Sequence, residues 1–192
     1  IHSVWPSEIE AIGHTGLYDY VEFVAEYGPS DLHDLDNLCR TTELYNLGSM
    51  IKIDQSLMPY MAQRGIGSGF NSVLFTDVRN IEEVRECVKA ASPDHPDYGG
   101  SYGVATRRNS YMGYGGNPDY VQTIAETVIV FMIEKKGAVD NLEEILEEPS
   151  LKISNGRHAL IEQINSGNRF IPNDTCLDNH DQQIMVITGP NM

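Results

Sequence analysis

The sequence predicts an α/β fold, an incomplete (β/α)₈ barrel of the TIM type with about six βα units, followed by a short β-rich segment. Three observations lead to this prediction. Apolar runs alternate with amphipathic helical stretches at a spacing of roughly 25 residues, which is typical of βαβ units around a parallel sheet. The runs are continuously apolar, as strands in parallel sheets usually are. The alternation stops near residue 148, where short strands and turns without crossover helices begin.

Six apolar runs are predicted strands, with helices between them. The strands are expected at 1–4 (the end of a first strand), 20–25, 49–53, 72–76, 101–105 and 127–133. The helices are expected at 31–46, 56–66, 80–91, 117–126 and 138–148. A closed barrel needs eight units and about 250 residues. We therefore predict a partial barrel over 1–148 and a separate segment over 149–192.

Composition restricts the function classes. The chain has 192 residues, a formal net charge of −15 and 41% hydrophobic residues. It can bury a core, and its acidity argues against nucleic acid or an anionic membrane as the partner of the folded surface. Cys39, Cys87 and Cys176 form no zinc-binding spacing. No apolar run reaches the roughly 18 residues of a membrane span, so we expect a cytoplasmic protein with reduced thiols.

Candidate functional residues follow the predicted strands, because the carboxyl ends of parallel strands carry the functional sites of α/β folds. The polar residues at these ends are Glu26, Tyr27, Lys52, Asp54, Asp77, Arg79, Arg107, Arg108, Asn109, Glu134, Lys135 and Lys136. Glu134 emerges directly from a core strand and is suited to a hard divalent cation, or it pairs with a neighbouring lysine. Lys52 either binds a carboxylate substrate or is solvated. Arg107 either binds an anion or belongs to a solvated loop.

Five segments together resemble the HpcH/HpaI aldolase and citrate lyase superfamily. They are "YDYVEFVAEYGPSDLHDLDNLCR", "SMIKIDQ", "GSGFNSVLFTDVRNIEEV", "YGVATRRN" and "VIVFMIEKKGAVDNLEEIL", in order through nearly all of 1–148. The resemblance implies a class II aldolase on a (β/α)₈ barrel. It implies cleavage of a 4-hydroxy-2-oxo acid to pyruvate, or a related 2-oxo acid, and an aldehyde. A divalent ion, Mg²⁺, Mn²⁺ or Co²⁺, would hold the 2-oxo acid and stabilise the enolate.

The same resemblance implies site residues, with departures from the family pattern. The first metal carboxylate falls on Glu134, and the substrate-binding arginine falls on Lys52, which keeps the charge but loses the bidentate fork. The histidine proposed as the acid/base falls on Tyr27 in "AEYGP", and tyrosine is a poorer base near neutrality. The family's second metal carboxylate lies in a Gly-Pro-x-Asp segment that does not follow here. The resemblance also implies a small 2-oxo acid as substrate, and we expect a homo-oligomer.

The remaining segment, "LKISNGRHALIEQINSGNRFIPNDTCLDNHDQQIMVITGPNM", resembles the opening of the ATPase domain of MutS-type mismatch-repair proteins. The resemblance implies that Phe170 and Ile171 pack against adenine and that Gly189 and Asn191 begin a phosphate-binding loop. Such a loop also needs Gly-Lys-Ser/Thr, which this chain does not contain after Gly189. We therefore predict no useful ATP binding.

Three hypotheses follow. The chain is an aldolase-type barrel with a partial site, a fragment of a MutS-type ATP-binding mismatch-repair protein, or a non-catalytic chimera of the two. DNA is a partner only under the second hypothesis. The aldolase-type part is the longer one, so it carries the functional prediction.

Overall fold

The computed structural model describes residues 1–103, 119–146, 151–156 and 173–177, the last two ranges by their backbone. It divides into two compact units, Ile1–Asp140 and Asn141–Met192. Strands and helices alternate through the first unit. Their order is α1 (Pro6–Thr15), β1 (Tyr20–Val24), α2 (Leu32–Leu44), β2 (Gly48–Ile53), a 3₁₀ turn (Gln55–Leu57), α3 (Met58–Ser68), β3 (Ser72–Phe75), α4 (Ile81–Ala91), α5 (Asp119–Ala125), β4 (Val128–Phe131) and α6 (Lys136–Asp140).

The four strands of the first unit form one parallel sheet in the order β1-β2-β3-β4. The register pairs Val24 with Lys52, and Ile53 with Phe75, which in turn pairs with Phe131. Strands that add in sequence order, each after a helix, are typical of a barrel, whereas a doubly wound sheet reverses its order at a switch point. The predicted α/β class and the partial TIM-like fold are confirmed at this level.

The two faces of this sheet differ in burial. Phe23, Ile51 and Val73 are aligned across neighbouring strands and are fully buried. Helix α3 packs on this face, since a Cβ at Gly65 would lie 2.9 Å from the Ile51 side chain. The opposite face carries Val24 and Lys52, which are only half-buried. The strands are thus covered by helices on one face, as in a barrel wall, and not equally on both faces as their apolar runs suggested.

Local sequence determines where the helices begin. Asp31 caps α2, accepting hydrogen bonds from the backbone N–H groups of His33 and Asp34, while the Asp34 carboxylate accepts from the Asp31 N–H. Asn80 caps α4 by accepting a hydrogen bond from the Glu83 N–H. Both helices therefore begin within one residue of the predicted position.

Two predicted strands do not form in the described residues. Over 1–4 no strand forms, although Ile1 donates to the Glu22 carbonyl and accepts from the Val24 N–H, which is the pattern of a single parallel pairing with β1. Of the predicted strand over 101–105, the described residues 101–103 lie outside the sheet, in which β3 pairs directly with β4. In its described part, Tyr102 forms one isolated bridge with Pro93. The sheet of the described residues therefore has four strands, and the predicted count of six units is not seen.

Two helical regions also differ from the prediction. Helix α1 was not expected, although Pro6 begins it and Gly16 ends it in the left-handed conformation at φ 63°. The helix predicted over 138–148 forms instead as two short helices, α6 and, in the second unit, α7 (Leu142–Leu146). The predicted capping residues Asn117 and Pro118 of α5 lie outside the described residues.

The second unit contains α7 and two antiparallel strands, β5 (Leu151–Gly156) and β6 (Asn173–Leu177). Leu151 pairs with Leu177, and the register shifts between Ile153 and Gly156. In the described ranges of the chain, no helix is long and apolar enough to cross a membrane.

The buried cysteines of the first unit give a prediction about thiol reactivity. Cys39 and Cys87 are buried, and the Cys87 Sγ lies 3.3 Å from the Met58 Sδ. Burial, followed by the nearby charges of Glu83 and Glu86, raises the pKa of Cys87 to about 12. Because the thiolate is the reactive form, we expect iodoacetamide at about pH 8 to leave Cys87 unmodified in the native protein and to label it in urea. Peptide mass spectrometry measures this, and native labelling of Cys87 would contradict the buried position.

Candidate active site

The carboxyl ends of the four parallel strands bring a set of charged side chains to one edge of the sheet. Glu26 and Tyr27 follow β1, Lys52 lies within the end of β2, Asp77 follows β3, and Glu134 follows β4. The strands end level with one another because Val24 is aligned with Lys52, and Phe75 with Phe131. This is the edge at which α/β folds place their functional groups.

Lys52 and Glu26 form an ion pair that is largely shielded from water. The Lys52 Nζ lies 2.9 Å from the Glu26 Oε2, and the two side chains are 14% and 11% exposed. Burial by itself lowers the pKa of Lys52, but the adjacent Glu26 carboxylate and its negative charge outweigh that effect, so that the pKa ends above its usual value. The ammonium therefore stays charged around neutrality.

Tyr27 lies beside this pair. Its ring centroid is 5.2 Å from the Lys52 Nζ, and the side chain is largely exposed. A hydrogen bond to Glu26, together with burial and the Glu26 charge, raises the pKa of the Tyr27 phenol. A phenol that remains protonated near neutrality can donate a proton or a hydrogen bond more readily than it can accept a proton.

Asp77 and Glu134 form a second charged group at the same edge. The Lys135 Nζ forms an ion pair with the Asp77 Oδ1 at 2.8 Å. The Asp77 and Glu134 carboxyl groups are hydrogen-bonded to each other. Lys135 and the shared hydrogen bond keep the pKa of Asp77 below its usual value. The hydrogen bond and the negative charge of Asp77 raise the pKa of Glu134. Of the two carboxyl groups, Glu134 therefore has the higher pKa.

The backbone of Asp77 explains how its side chain reaches this position. Asp77 adopts a φ of 59°, in the left-handed region that residues other than glycine seldom use. Aspartate tolerates this conformation better than most residues. Its conformation marks the turn from β3 toward α4, where its carboxylate meets the side chains that follow β4.

The carboxylate pair fits a divalent ion of the Mg²⁺ type. Hard cations prefer oxygen ligands, and Mg²⁺ is commonly bound through one or two carboxylates together with water and substrate oxygens. Asp77 and Glu134 supply two carboxylates from neighbouring strand ends. Among the described residues no group of three or more His, Cys, Asp or Glu side chains is arranged to hold a metal.

The structure brings together three of the residues that the sequence singled out. Tyr27, Lys52 and Glu134 influence one another electrostatically at the sheet edge. The other candidates, Arg107, Phe170, Ile171, Gly189 and Asn191, lie outside the described residues. Sequence reasoning gave no role to Glu26 or Asp77, although both directly follow predicted strands. Only the register shows that each faces a partner on the next strand.

Comparisons with known proteins agree with both resemblances. No protein-family profile matches the chain. A HpcH/HpaI aldolase/citrate lyase family protein from Burkholderia cenocepacia J2315 superimposes with a TM-score of 0.65 and 23% identity over 76% of this chain. The HpcH/HpaI aldolase from Desulfitobacterium hafniense DCB-2 gives a TM-score of 0.60 and 20% identity over 75%. At these identities the likeness concerns the fold.

Curated relatives match a different, shorter stretch. The DNA mismatch repair protein MutS of Pelotomaculum thermopropionicum is 45% identical over 49 residues, and that of Clostridium perfringens is 49% identical over 49 residues. Each match covers 26% of this chain and only 6% and 5% of the respective relative. The chain spans 57% and 54% of the two solved neighbours. It thus resembles HpcH/HpaI aldolase/citrate lyase proteins in fold over about three quarters of its length, and MutS in sequence over about one quarter.

Proposed function

We propose that residues 1–148 form a metal-dependent carbon-carbon lyase of the class II aldolase type. The reaction would cleave a 4-hydroxy-2-oxo acid to pyruvate, or a related 2-oxo acid, and an aldehyde. The observation that carries the proposal is the position of Tyr27, Lys52 and Glu134 at the carboxyl edge of one parallel sheet, where they influence one another electrostatically. The likeness in fold to HpcH/HpaI aldolases supports the lyase class.

Lys52 is the group suited to the substrate carboxylate. Its ammonium is charged and fixed by Glu26, and an ammonium has three donors, so that donors remain for a ligand. A lysine lacks the planar fork of an arginine, and it therefore binds a carboxylate as a point charge rather than through two parallel hydrogen bonds. Arg107 stays a second candidate for the same anion.

Asp77 and Glu134 are the residues that would hold Mg²⁺, Mn²⁺ or Co²⁺. Such an ion supplies Lewis-acid stabilisation of the negative charge that develops on the 2-oxo group when the carbon-carbon bond breaks. Lys135 pairs with Asp77 and keeps that carboxylate ionised, which suits a cation ligand. A carboxylate binds a metal ion in its deprotonated form, so a bound cation would counteract the rise that Asp77 causes in the pKa of Glu134.

Tyr27 is suited to the proton transfer at carbon. After cleavage the enolate of pyruvate needs a proton at its carbon 3, and a phenol that stays protonated can supply it. The proton lost by the 4-hydroxyl group passes to solvent. This assignment gives Tyr27 the role of an acid rather than that of the base expected of a histidine. We further propose a cytoplasmic homo-oligomer as the working form.

The test measures metal-dependent release of pyruvate from a 4-hydroxy-2-oxo acid. A coupled pyruvate assay with Mn²⁺ present records the release. We expect Glu134→Gln to lower the rate by at least about 100-fold, because it removes a charged ligand of the ion. Glu10→Gln, on the exposed surface of α1, removes the same charge away from the site and is expected to leave the rate unchanged. No Mn²⁺-dependent release by the unaltered protein would refute the proposal.

The similarity to MutS supports a second proposal for 150–192, as a segment of MutS-type ATPase sequence. Identity of 43–49% over about 50 residues is the supporting observation. The roles of Phe170, Ile171, Gly189 and Asn191 in a nucleotide site stay predictions, as does the absence of useful ATP binding.

A further inference from the structure

We propose that Glu26 is a positioning residue, which holds the ammonium of Lys52 at the carboxyl edge of the sheet in the orientation that receives the carboxylate of a 2-oxo acid. The proposed function gives Glu26 no part in the reaction, and this inference rests on that function. It concerns a residue that does not itself touch the reacting atoms and acts through Lys52.

The backbone and the side chains both join Glu26 to Lys52. The Glu26 N–H donates to the Lys52 carbonyl at 3.2 Å, just beyond the point where Val24 and Lys52 are aligned in the sheet. The turn that follows β1 is tight, since the Gly28 N–H donates to the Val24 carbonyl at 2.9 Å and a Cβ at Gly28 would lie 2.9 Å from that oxygen. Glu26 therefore starts from a fixed backbone position beside its partner.

The Glu26 carboxylate is largely buried rather than solvated. The Glu26 Oε2 is shielded from solvent and lies 2.9 Å from the Lys52 Nζ, in an ion pair whose angles do not meet those of a hydrogen bond. A surface lysine samples many rotamers of its four-carbon stem, whereas this one is 14% exposed and has a counterion at its tip. The pair thus removes, before any ligand arrives, the conformational freedom that substrate binding would otherwise have to remove.

An alternative hypothesis is that Glu26 weakens the binding of an anionic ligand by Lys52. Its negative charge reduces the attraction between Lys52 and an anionic ligand, so its removal would then strengthen binding. The geometry favours positioning, because Glu26 engages the ammonium from within the protein and an ammonium has three donors. The positioning role predicts that Glu26→Gln weakens anion binding, whereas the inhibitory role predicts that it strengthens anion binding, so the measured affinity decides between them.

The experiment compares Glu26→Gln and Glu26→Asp with the unaltered protein in two measurements. One is steady-state kinetics on a 4-hydroxy-2-oxo acid with Mn²⁺, and the other is calorimetric titration with pyruvate in the presence of Mg²⁺. We expect Glu26→Gln to raise KM and the pyruvate Kd about tenfold while kcat changes less than about threefold. Glu26→Asp keeps the charge on a shorter side chain, and we expect its pyruvate Kd to lie between that of the unaltered protein and that of Glu26→Gln.

Glu22→Gln is the matched control. Glu22 lies on β1 two residues before Val24 and contributes negative charge near Lys52 without forming the ion pair. If charge alone mattered, both glutamine variants would act alike, whereas a positioning role leaves the Kd of Glu22→Gln within about twofold of the unaltered protein. Melting temperatures establish that each variant is folded. Should Glu26→Gln unfold, Glu26→Asp decides, because unchanged pyruvate affinity in that variant would overturn the proposal.

The outcomes separate this inference from the proposed function. Pyruvate binding without pyruvate release contradicts the lyase function, while a tenfold weaker affinity in Glu26→Gln still supports the positioning role. An unchanged or tighter affinity in Glu26→Gln overturns the positioning role even if the protein is an active lyase. Absence of any pyruvate binding by the unaltered protein overturns it as well.

Discussion

Replacing Phe75 by alanine is expected to lower the free energy of unfolding of the first unit by about 3–5 kcal/mol. Phe75 ends β3 between β2 and β4, is 0% exposed, and stacks on Phe131 with ring centroids 5.4 Å apart. The substitution removes a large apolar side chain from the face that carries the core and leaves a cavity that backbone hydrogen bonds on both sides prevent from collapsing. Small domains are stable by about 5–15 kcal/mol, so this loss is a large share of the total.

Urea denaturation followed by circular dichroism measures the change. Leu44→Ala is the control, because Leu44 is 79% exposed at the end of α2 and its truncation is expected to cost less than about 0.5 kcal/mol. A Phe75→Ala variant within about 1 kcal/mol of the unaltered protein would mean that β3 does not lie at the centre of the sheet.

The prediction of secondary structure succeeded where local chemistry and hydrophobic periodicity agreed. The helix over 80–91 has an apolar face and an asparagine cap, and it forms as α4 between Ile81 and Ala91. The apolar run at 127–133 forms β4 at its centre. In α4 the buried residues also favour the helical conformation, so sequence and packing give the same result. In β4 the strand forms although Val128 is exposed and the other three residues are only half-buried, so the expected buried core strand is not seen there.

The predicted strands over 1–4 and 101–105, which do not form in the described residues, show that a local pattern does not determine which strands pair. "SYGVA" is apolar enough for a short strand, but β3 takes β4 as its neighbour and leaves Tyr102 to a single bridge with Pro93. The backbone near Gly100 is also crowded, since a Cβ there would lie 2.0 Å from the Ser92 carbonyl oxygen. Which strands pair is decided by long-range packing, and that information is spread over several segments of the chain.

The sequence indicated where the candidate residues lie but not which of them pair. The rule that function lies at the carboxyl ends of strands selected Tyr27, Lys52 and Glu134, and all three lie at the same edge of the sheet. It did not distinguish a solvated lysine from one paired with Glu26, nor a lone Glu134 from one whose pKa is raised by Asp77. Those distinctions depend on the alignment of neighbouring strands and on the left-handed turn at Asp77, neither of which a single sequence displays.

The second large effect is expected at the ion pair between Lys52 and Glu26. Lys52→Met removes the cation and leaves the Glu26 carboxylate largely buried and uncompensated, so we expect the free energy of unfolding to fall by about 2–4 kcal/mol. The further change Glu26→Gln in the same chain neutralises the orphaned charge and is expected to recover at least about half of the loss. Coupling of this kind distinguishes a shielded pair from two groups that act independently.

An exposed ion pair of the same unit provides the comparison. Lys136 and Asp140 are in contact on the surface of α6, with side chains 86% and 55% exposed. Lys136→Met is expected to cost less than about 1 kcal/mol, and adding Asp140→Asn is expected to show little coupling, because water already solvates both charges. Double-mutant cycles from urea denaturation give both coupling energies. Equal coupling in the two cycles would contradict the burial of Glu26 and Lys52, and with it the reason for expecting Glu26 to hold the ammonium in place.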